Sequence, residues 1–243
     1  MGLVLLGCQI LAGAVFADYI TGYVWDWESD YMPNMLLSTP ANPAADSEGS
    51  AGVWTYAYNV NDASTATIRN TGSSIMQVGL KNGTSYVWSQ NPPATYSTAA
   101  YFRATPSTST MALIPGPDVD VNAQLCQLIW TAPIAATIKI SGDIVNIGTT
   151  GNGILWYLDA YQSGAYTGLS SGSVGNLGTT AVDVTISVSQ GDQIIFSADA
   201  NGGSAGDLSE YNVTYEIVPE PASVGFLGIG ACGILLLRRL SRS

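Results

Sequence analysis

The chain has 243 residues, with 7 Lys+Arg against 18 Asp+Glu, no His and a formal net charge of −11. That balance excludes nucleic-acid recognition through a basic patch. The lack of histidine removes Ser–His and Cys–His nucleophiles, the commonest general base and His-ligated metal, so an enzyme of this composition would have to work with carboxylates. Charged residues are only 10% of the chain while Gly alone numbers 27, a chemistry of small neutral groups that suits sheets and turns.

Residues Met1 to Ala17 carry no charge and close on Val15-Phe16-Ala17 ahead of Asp18. This pattern is that of a secretory signal cut between Ala17 and Asp18; the usual positive n-region is missing, as expected of a start set too far downstream. Leu5-Leu6-Gly7-Cys8 also has the form of a lipobox, but seven residues before a cysteine are too few for a full signal. Residues 18–52 read as an acidic N-terminal segment and linker: Asp26, Glu28 and Asp30 interleave with Trp25 and Trp27 as in a solvated loop, and Thr39–Gly52 is rich in Pro, Ala and Ser.

From 53 to 218, short runs rich in Val, Ile, Thr and Tyr recur and no helical periodicity survives the Gly, Ser, Thr and Pro density. The predicted strands are Val53–Val60, Thr65–Ile68, Ile75–Leu80, Ser85–Ser89, Ala99–Ala104, Leu125–Thr131, Thr137–Ile147, Ile154–Gln162, Val182–Val188, Gln193–Ala200 and Tyr211–Val218. Lys81-Asn82-Gly83-Thr84 predicts a tight hairpin, and Gln90–Thr98 and Thr105–Pro117 predict surface loops. About eleven short strands make an all-β fold, a single antiparallel β-sandwich of jelly-roll type, flanked by an N-terminal signal helix and a C-terminal transmembrane helix. Cys126 is the sole cysteine between the apolar ends and lies in an apolar strand run, which predicts a buried thiol.

Residues 219–243 close the chain. Pro219-Glu220-Pro221 is followed by sixteen uncharged residues, 222–237, and then by Arg238, Arg239 and Arg242. As a helix the apolar stretch would span roughly 24 Å, slightly short of a bilayer core, and the arginines would hold its end in the cytoplasm. This order resembles the PEP-CTERM sorting signal of Gram-negative bacteria. The resemblance implies export across the inner membrane, recognition by an exosortase-type transpeptidase, and delivery to the cell envelope, surface or extracellular matrix of a species that makes exopolysaccharide. Pro219, Glu220, Pro221, Arg238 and Arg239 carry it.

A second resemblance covers 125–217. Trp130-Thr131-Ala132-Pro133, Thr137-Ile138-Lys139-Ile140-Ser141-Gly142 and Gly191-Asp192-Gln193-Ile194-Ile195-Phe196 leading to Asp199-Ala200-Asn201-Gly202 resemble carbohydrate-binding-module-like jelly-roll domains. Such modules imply an accessory, non-catalytic role.

Along Ile154–Gln162, period-2 alternation puts Trp156, Leu158 and Ala160 on one side and Tyr157, Asp159 and Tyr161 on the other. The second set is the candidate glycan strip, since tyrosine faces stack on sugar C–H groups while hydroxyls and the carboxylate bond sugar hydroxyls. Trp54, Trp88 and Trp156 are further stacking candidates. Asp199, Asn201 and Asp207 could wrap oxygens around Ca²⁺, although Asn and Gly are also ordinary turn residues; Asp118, Asp120 and Asn122 open like a calcium loop but lack its later glycine and glutamate. No other cofactor is indicated. The composite expectation is an exported surface or matrix protein, structural or adhesive, associated with exopolysaccharide. The alternatives are a non-catalytic carbohydrate-binding module and a glycoside hydrolase needing two carboxylates about 5 Å or 6.5–9.5 Å apart.

Overall fold

The computed structural model describes residues 19–30, 41–59, 64–78, 86–89, 101–105, 110–115, 125–202 and 208–219. Fourteen strands and a five-residue helix are built from these, and residues 27–30 are also helical. One sheet runs in the order β12 (Thr179–Val188), β9 (Ala136–Asn146), β14 (Ser209–Ile217), β7 (Thr110–Ile114), β6 (Tyr101–Thr105), β5 (Tyr86–Ser89) and β4 (Gln77–Val78), with β1 (Val24–Asp26) also paired to β14. The other runs β11 (Ala165–Val174), β10 (Ile154–Gln162), β13 (Gln193–Ala200), β8 (Leu125–Thr131), β2 (Trp54–Asn59) and β3 (Ser74–Ile75). All pairings are antiparallel. From β8 onward the chain changes sheet at every connection except the β10–β11 hairpin, so sequence neighbours face each other across the core. The antiparallel sandwich expected from the strand runs is the observed fold.

The interior is aromatic. Trp25, Trp27, Trp54, Trp130, Tyr56, Tyr211, Tyr215 and Phe196 are fully buried, each removing enough apolar area from water to be worth about 1.5–3 kcal/mol. Trp130 stacks on Tyr215 at 5.1 Å and Phe196 on Tyr211 at 4.0 Å, while Trp25 meets Trp130 edge-on at 5.2 Å. The Tyr211 and Tyr215 hydroxyls satisfy each other at 3.0 Å. Cys126 is buried as expected, and burial pushes its thiol pKa up, which keeps it protonated and inert. Trp54 and Trp156 also belong to this core, so neither is available to a sugar.

Residues 19–30 and 41–52 are part of the sandwich, which corrects the reading of 18–52 as a solvated segment and linker. Trp25 and Trp27 are core residues, and β1 adds to the long sheet through the Val24↔Glu216 to Asp26↔Thr214 register. Two carboxylates fasten the segment from within. Asp46 accepts from Trp25 Nε1 at 2.9 Å, from the Ser50 amide at 2.8 Å and from the Tyr19 hydroxyl. Asp30 accepts from Trp54 Nε1 at 3.0 Å, and desolvation raises its pKa. Acids that look solvated in sequence therefore serve two of the buried indole N–H groups, those of Trp25 and Trp54.

Three other expectations change. Thr65–Ile68 is helical: Thr65 Oγ1 caps the first turn by accepting from the Ile68 amide at 3.2 Å, and helix α1 runs Ala66–Asn70. β7 occupies part of the segment read as the Thr105–Pro117 loop. β11, Gly- and Ser-rich, forms a strand with no β-branched run of its own because β10 offers a full ladder. Gly142 is sterically required: its φ is +146° and an added Cβ would stand 2.1 Å from the Asn212 carbonyl oxygen on β14. Among the described residues no helix is long and apolar enough to cross a membrane. The expected signal at 1–17, the helix at 222–237 and the Asn82-Gly83 turn lie outside the described residues.

Burial holds the Tyr211 and Tyr215 phenols protonated well above their ordinary range. In the unfolded chain they ionise near pH 10, so stability is fully present below that pH and lost as pH rises past it. Urea denaturation between pH 8 and 11 should show this fall, and Tyr215→Phe should make it shallower. Equal slopes for both proteins would contradict the assignment.

Candidate functional site

The outer face of the six-stranded sheet carries the candidate site. Alternation along β10, β13, β8 and β2 turns every second side chain outward, and the antiparallel register sets these in cross-strand rows. The first row is Tyr166, Tyr161, Gln193 and Thr131; the second is Asp159, Ile195, Ile129 and Thr55; the third is Tyr157, Ser197, Gln127 and Ala57.

Helix α1 and the turn after it lie over the Asp159 end of the second row and over the third row. Arg69 reaches down to Asp159 in a bidentate pair, Nε to Oδ2 at 2.6 Å and Nη2 to Oδ1 at 2.5 Å, and its guanidinium sits 4.4 Å from the Tyr157 ring centroid. Asn70 Nδ2 donates to Asp159 Oδ2 at 2.7 Å. Gln127 Nε2 lies within hydrogen-bond distance of Asn70 Oδ1 at 2.9 Å and of Ser197 Oγ at 3.0 Å, and its Oε1 accepts from Ser73 Oγ at 2.6 Å. Asn59 Nδ2 donates to the Thr71 carbonyl at 3.0 Å. Asp159, Gln127 and Ser197 have no exposed surface, and Asn59, Asn70 and Arg69 retain little. A polar layer is thus sealed between the sheet and α1, with its polar groups matched to one another.

Beyond the edge of that layer the face opens into a groove of about 450 Å³. Its floor is Thr55, Ile129, Thr131, Gln193 and Ile195; Asn70 at the end of α1, Gly72 and Ser73 of the turn after it, Ile75 of β3 and Tyr166 of β11 line it. Tyr166 donates to the Asn70 carbonyl at 3.5 Å, and burial pushes its phenol pKa up, so it stays a donor. The lining contains amides, hydroxyls and isoleucines, with no carboxylate, lysine or arginine among the described residues.

The predicted strip is on the right face but one layer beneath the groove. Tyr157 lies under Arg69, and both Asp159 oxygens are bonded, so the carboxylate has no free edge for a sugar. Tyr161 packs on Tyr166 with centroids 4.6 Å apart, supporting a groove residue rather than lining the groove. Asn70, Gln193 and Tyr166 were not singled out from sequence. Tyr166 follows a Ser-Gly turn in a run with weak strand character, and Asn70 lies just past the Thr65–Ile68 run read as strand, at the end of a helix the sequence did not announce.

Of the remaining candidates, Asp199 is nearly buried on β13, and Asn201 is exposed and donates to the Asn152 carbonyl at 3.3 Å. Asp207, with Asp118, Asp120 and Asn122, lies outside the described residues. Among the described residues no three His, Cys, Asp or Glu side chains group around a metal position. Pro219 is exposed at the end of the last strand. Ala17, Asp18, Glu220, Pro221, Arg238 and Arg239 lie outside the described residues.

No family model matches the sequence, and no curated protein matches it. Among solved structures the chain is similar to the CBM22-1 xylan-binding domain from Paenibacillus barcinonensis, at 10% identity and a TM-score of 0.32 over 68% of this chain and 94% of that one. It is similar to a family 29 carbohydrate-binding module from Piromyces equi, at 12% identity and a TM-score of 0.29 over 68% and 91%. The C-terminal CBM6 of a marine laminarinase from Zobellia galactanivorans gives 15% and 0.25 over 43% and 90%. At TM-scores this low the likeness carries no argument, and function rests on the groove.

Truncating Asp159 to Ala would leave the Arg69 charge buried and unpaired, so D159A should lower unfolding free energy by about 3–5 kcal/mol. Chemical denaturation measures it. A loss below about 1 kcal/mol would place the pair in the range of solvent-exposed bridges.

Proposed function

We propose that the sandwich is a non-catalytic glycan-binding domain of an exported protein, and that the groove on the six-stranded sheet takes a neutral polysaccharide segment. The observation behind it is the lining: hydroxyl and amide groups of Thr55, Asn70, Thr131 and Gln193 stand beside Ile129, Ile195 and the Tyr166 ring. A sugar presents the same alternation of hydroxyls and C–H faces, and a groove of this kind fixes orientation through a few polar groups over an apolar floor. The absence of an acid or base from the lining favours binding over hydrolysis, which needs paired carboxylates. The chain between Asp18 and Pro219 carries 17 acidic and 4 basic residues, so an anionic polymer would be repelled.

Delivery belongs to the same proposal. The Pro219-Glu220-Pro221 order, the apolar 222–237 stretch and Arg238-Arg239 support export and handling by an exosortase-type enzyme, which would set the domain in or on an exopolysaccharide envelope. Glycan binding there would serve adhesion.

Calorimetric titration of the full chain against neutral β-linked glucan, xylan, mannan and galactan oligosaccharides should give saturable binding to at least one. Uronic-acid oligosaccharides should bind more weakly. Gln193→Ala and Tyr166→Ala should each weaken the interaction about tenfold, or about 1.4 kcal/mol. Tighter binding of the acidic oligosaccharides, or indifference to both substitutions, would overturn the assignment.

A further inference from the structure

We propose that the buried Arg69–Asp159 pair is a positioning device for the groove, acting on the ligand-facing residues without touching the ligand. This rests on the glycan reading of the same groove. Helix α1 has five residues, far fewer than an isolated helix needs to persist in water, so its place on the sheet has to come from tertiary bonds. Three of those bonds converge on Asp159, and Gln127 Nε2 to the Arg69 carbonyl at 3.2 Å and Tyr166 to the Asn70 carbonyl at 3.5 Å add to them. Asp159 Oδ2 accepts from both Arg69 Nε and Asn70 Nδ2, its Oδ1 accepts from Arg69 Nη2, and Asn70 is itself a lining residue. Asn70 Oδ1 in turn faces Gln127 Nε2, whose Oε1 accepts from Ser73, another lining residue. Asn70 is therefore one hydrogen bond from the carboxylate and Ser73 three.

The shape of the pair matters as well as its charge. A guanidinium fork engages both carboxylate oxygens with its central carbon 4.4 Å from the Tyr157 ring centroid, which fixes the roll of α1 about its axis; an ammonium offers one point contact and no fork. Arg69→Lys keeps the charge balance and removes that fork, so the turn at 70–75 should loosen while the sandwich stays folded.

The test uses apo full-length chain and two variants, Arg69→Lys and the double substitution Arg69→Met with Asp159→Leu. The second removes both charges together, which folded proteins tolerate far better than loss of one partner. Amide hydrogen exchange is read at Arg69 and Thr71, whose N–H groups bond the Thr65 and Thr67 carbonyls, and at Ser74 and Ile75 of β3. Both variants should exchange on the order of tenfold faster there, with β8 and β13 amides unchanged. Titration with the neutral oligosaccharide bound by wild type should show affinity reduced on the order of tenfold in both.

Unchanged exchange at 69–75 would overturn the positioning role. Exchange rising alike in β8 and β13 would also overturn it, because the pair would then support the whole sheet. Undiminished affinity in both variants, while Gln193→Ala weakens binding, would overturn it too. If Gln193→Ala has no effect either, the glycan reading fails, and the exchange data still decide whether the pair orders the turn.

Discussion

A carboxylate without exposed surface has to be matched in charge and in hydrogen bonds, and the matching of Asp159 organises the outer face of the six-stranded sheet. Arg69 supplies the charge and two of the bonds, and Asn70 a third. Meeting that requirement brings α1 down onto a sheet face that strand alternation alone would leave in water. It also divides the face in two. Over the Asp159 and Gln127 positions the sheet is sealed; toward the Thr131 and Gln193 end it is open and forms the groove.

The two faces of the six-stranded sheet are therefore buried by different physics. Inward, Trp54, Trp130 and Phe196 pack against Tyr211 and Tyr215 of the opposite sheet, where apolar area is the driving force. Outward, Gln127, Ser197, Asn59 and Asp159 are held by mutual hydrogen bonds, where geometry decides the outcome, because an unmatched polar group there costs more than a matched one contributes. The same division recurs in the N-terminal segment, whose indoles enter the core while Asp30 and Asp46 accept from Trp54 and Trp25.

Period and composition made the architecture legible. Leu125–Thr131, Ile154–Gln162 and Gln193–Ala200 read from sequence with the same bounds as β8, β10 and β13, since each has a hydrophobic face and a turn at its end. Strands that depend on a partner were not legible: β11 lacks intrinsic preference, and β1 has three residues. The helix was missed because Thr65 and Thr67 resemble strand residues until the Thr65 cap is seen to accept from Ile68. The candidate strip was found by alternation, which tells which residues share a face but not which distant segment covers them. Arg69 and Asp159 are ninety positions apart, and a single sequence contains no term that pairs them.

On the function proposed above, this protein meets its ligand in the groove on the outer face of the six-stranded sheet. The most direct measurement is titration of isotope-labelled protein with the neutral oligosaccharide it binds, following backbone and side-chain amide resonances. The structure predicts the largest shifts at Thr55, Asn70, Thr131, Tyr166 and Gln193, with the Gln193 and Asn70 side-chain amides among them. Shifts centred instead on the outer face of the long sheet, at Lys139, Asp143 and Asp183, with the groove silent, would contradict it.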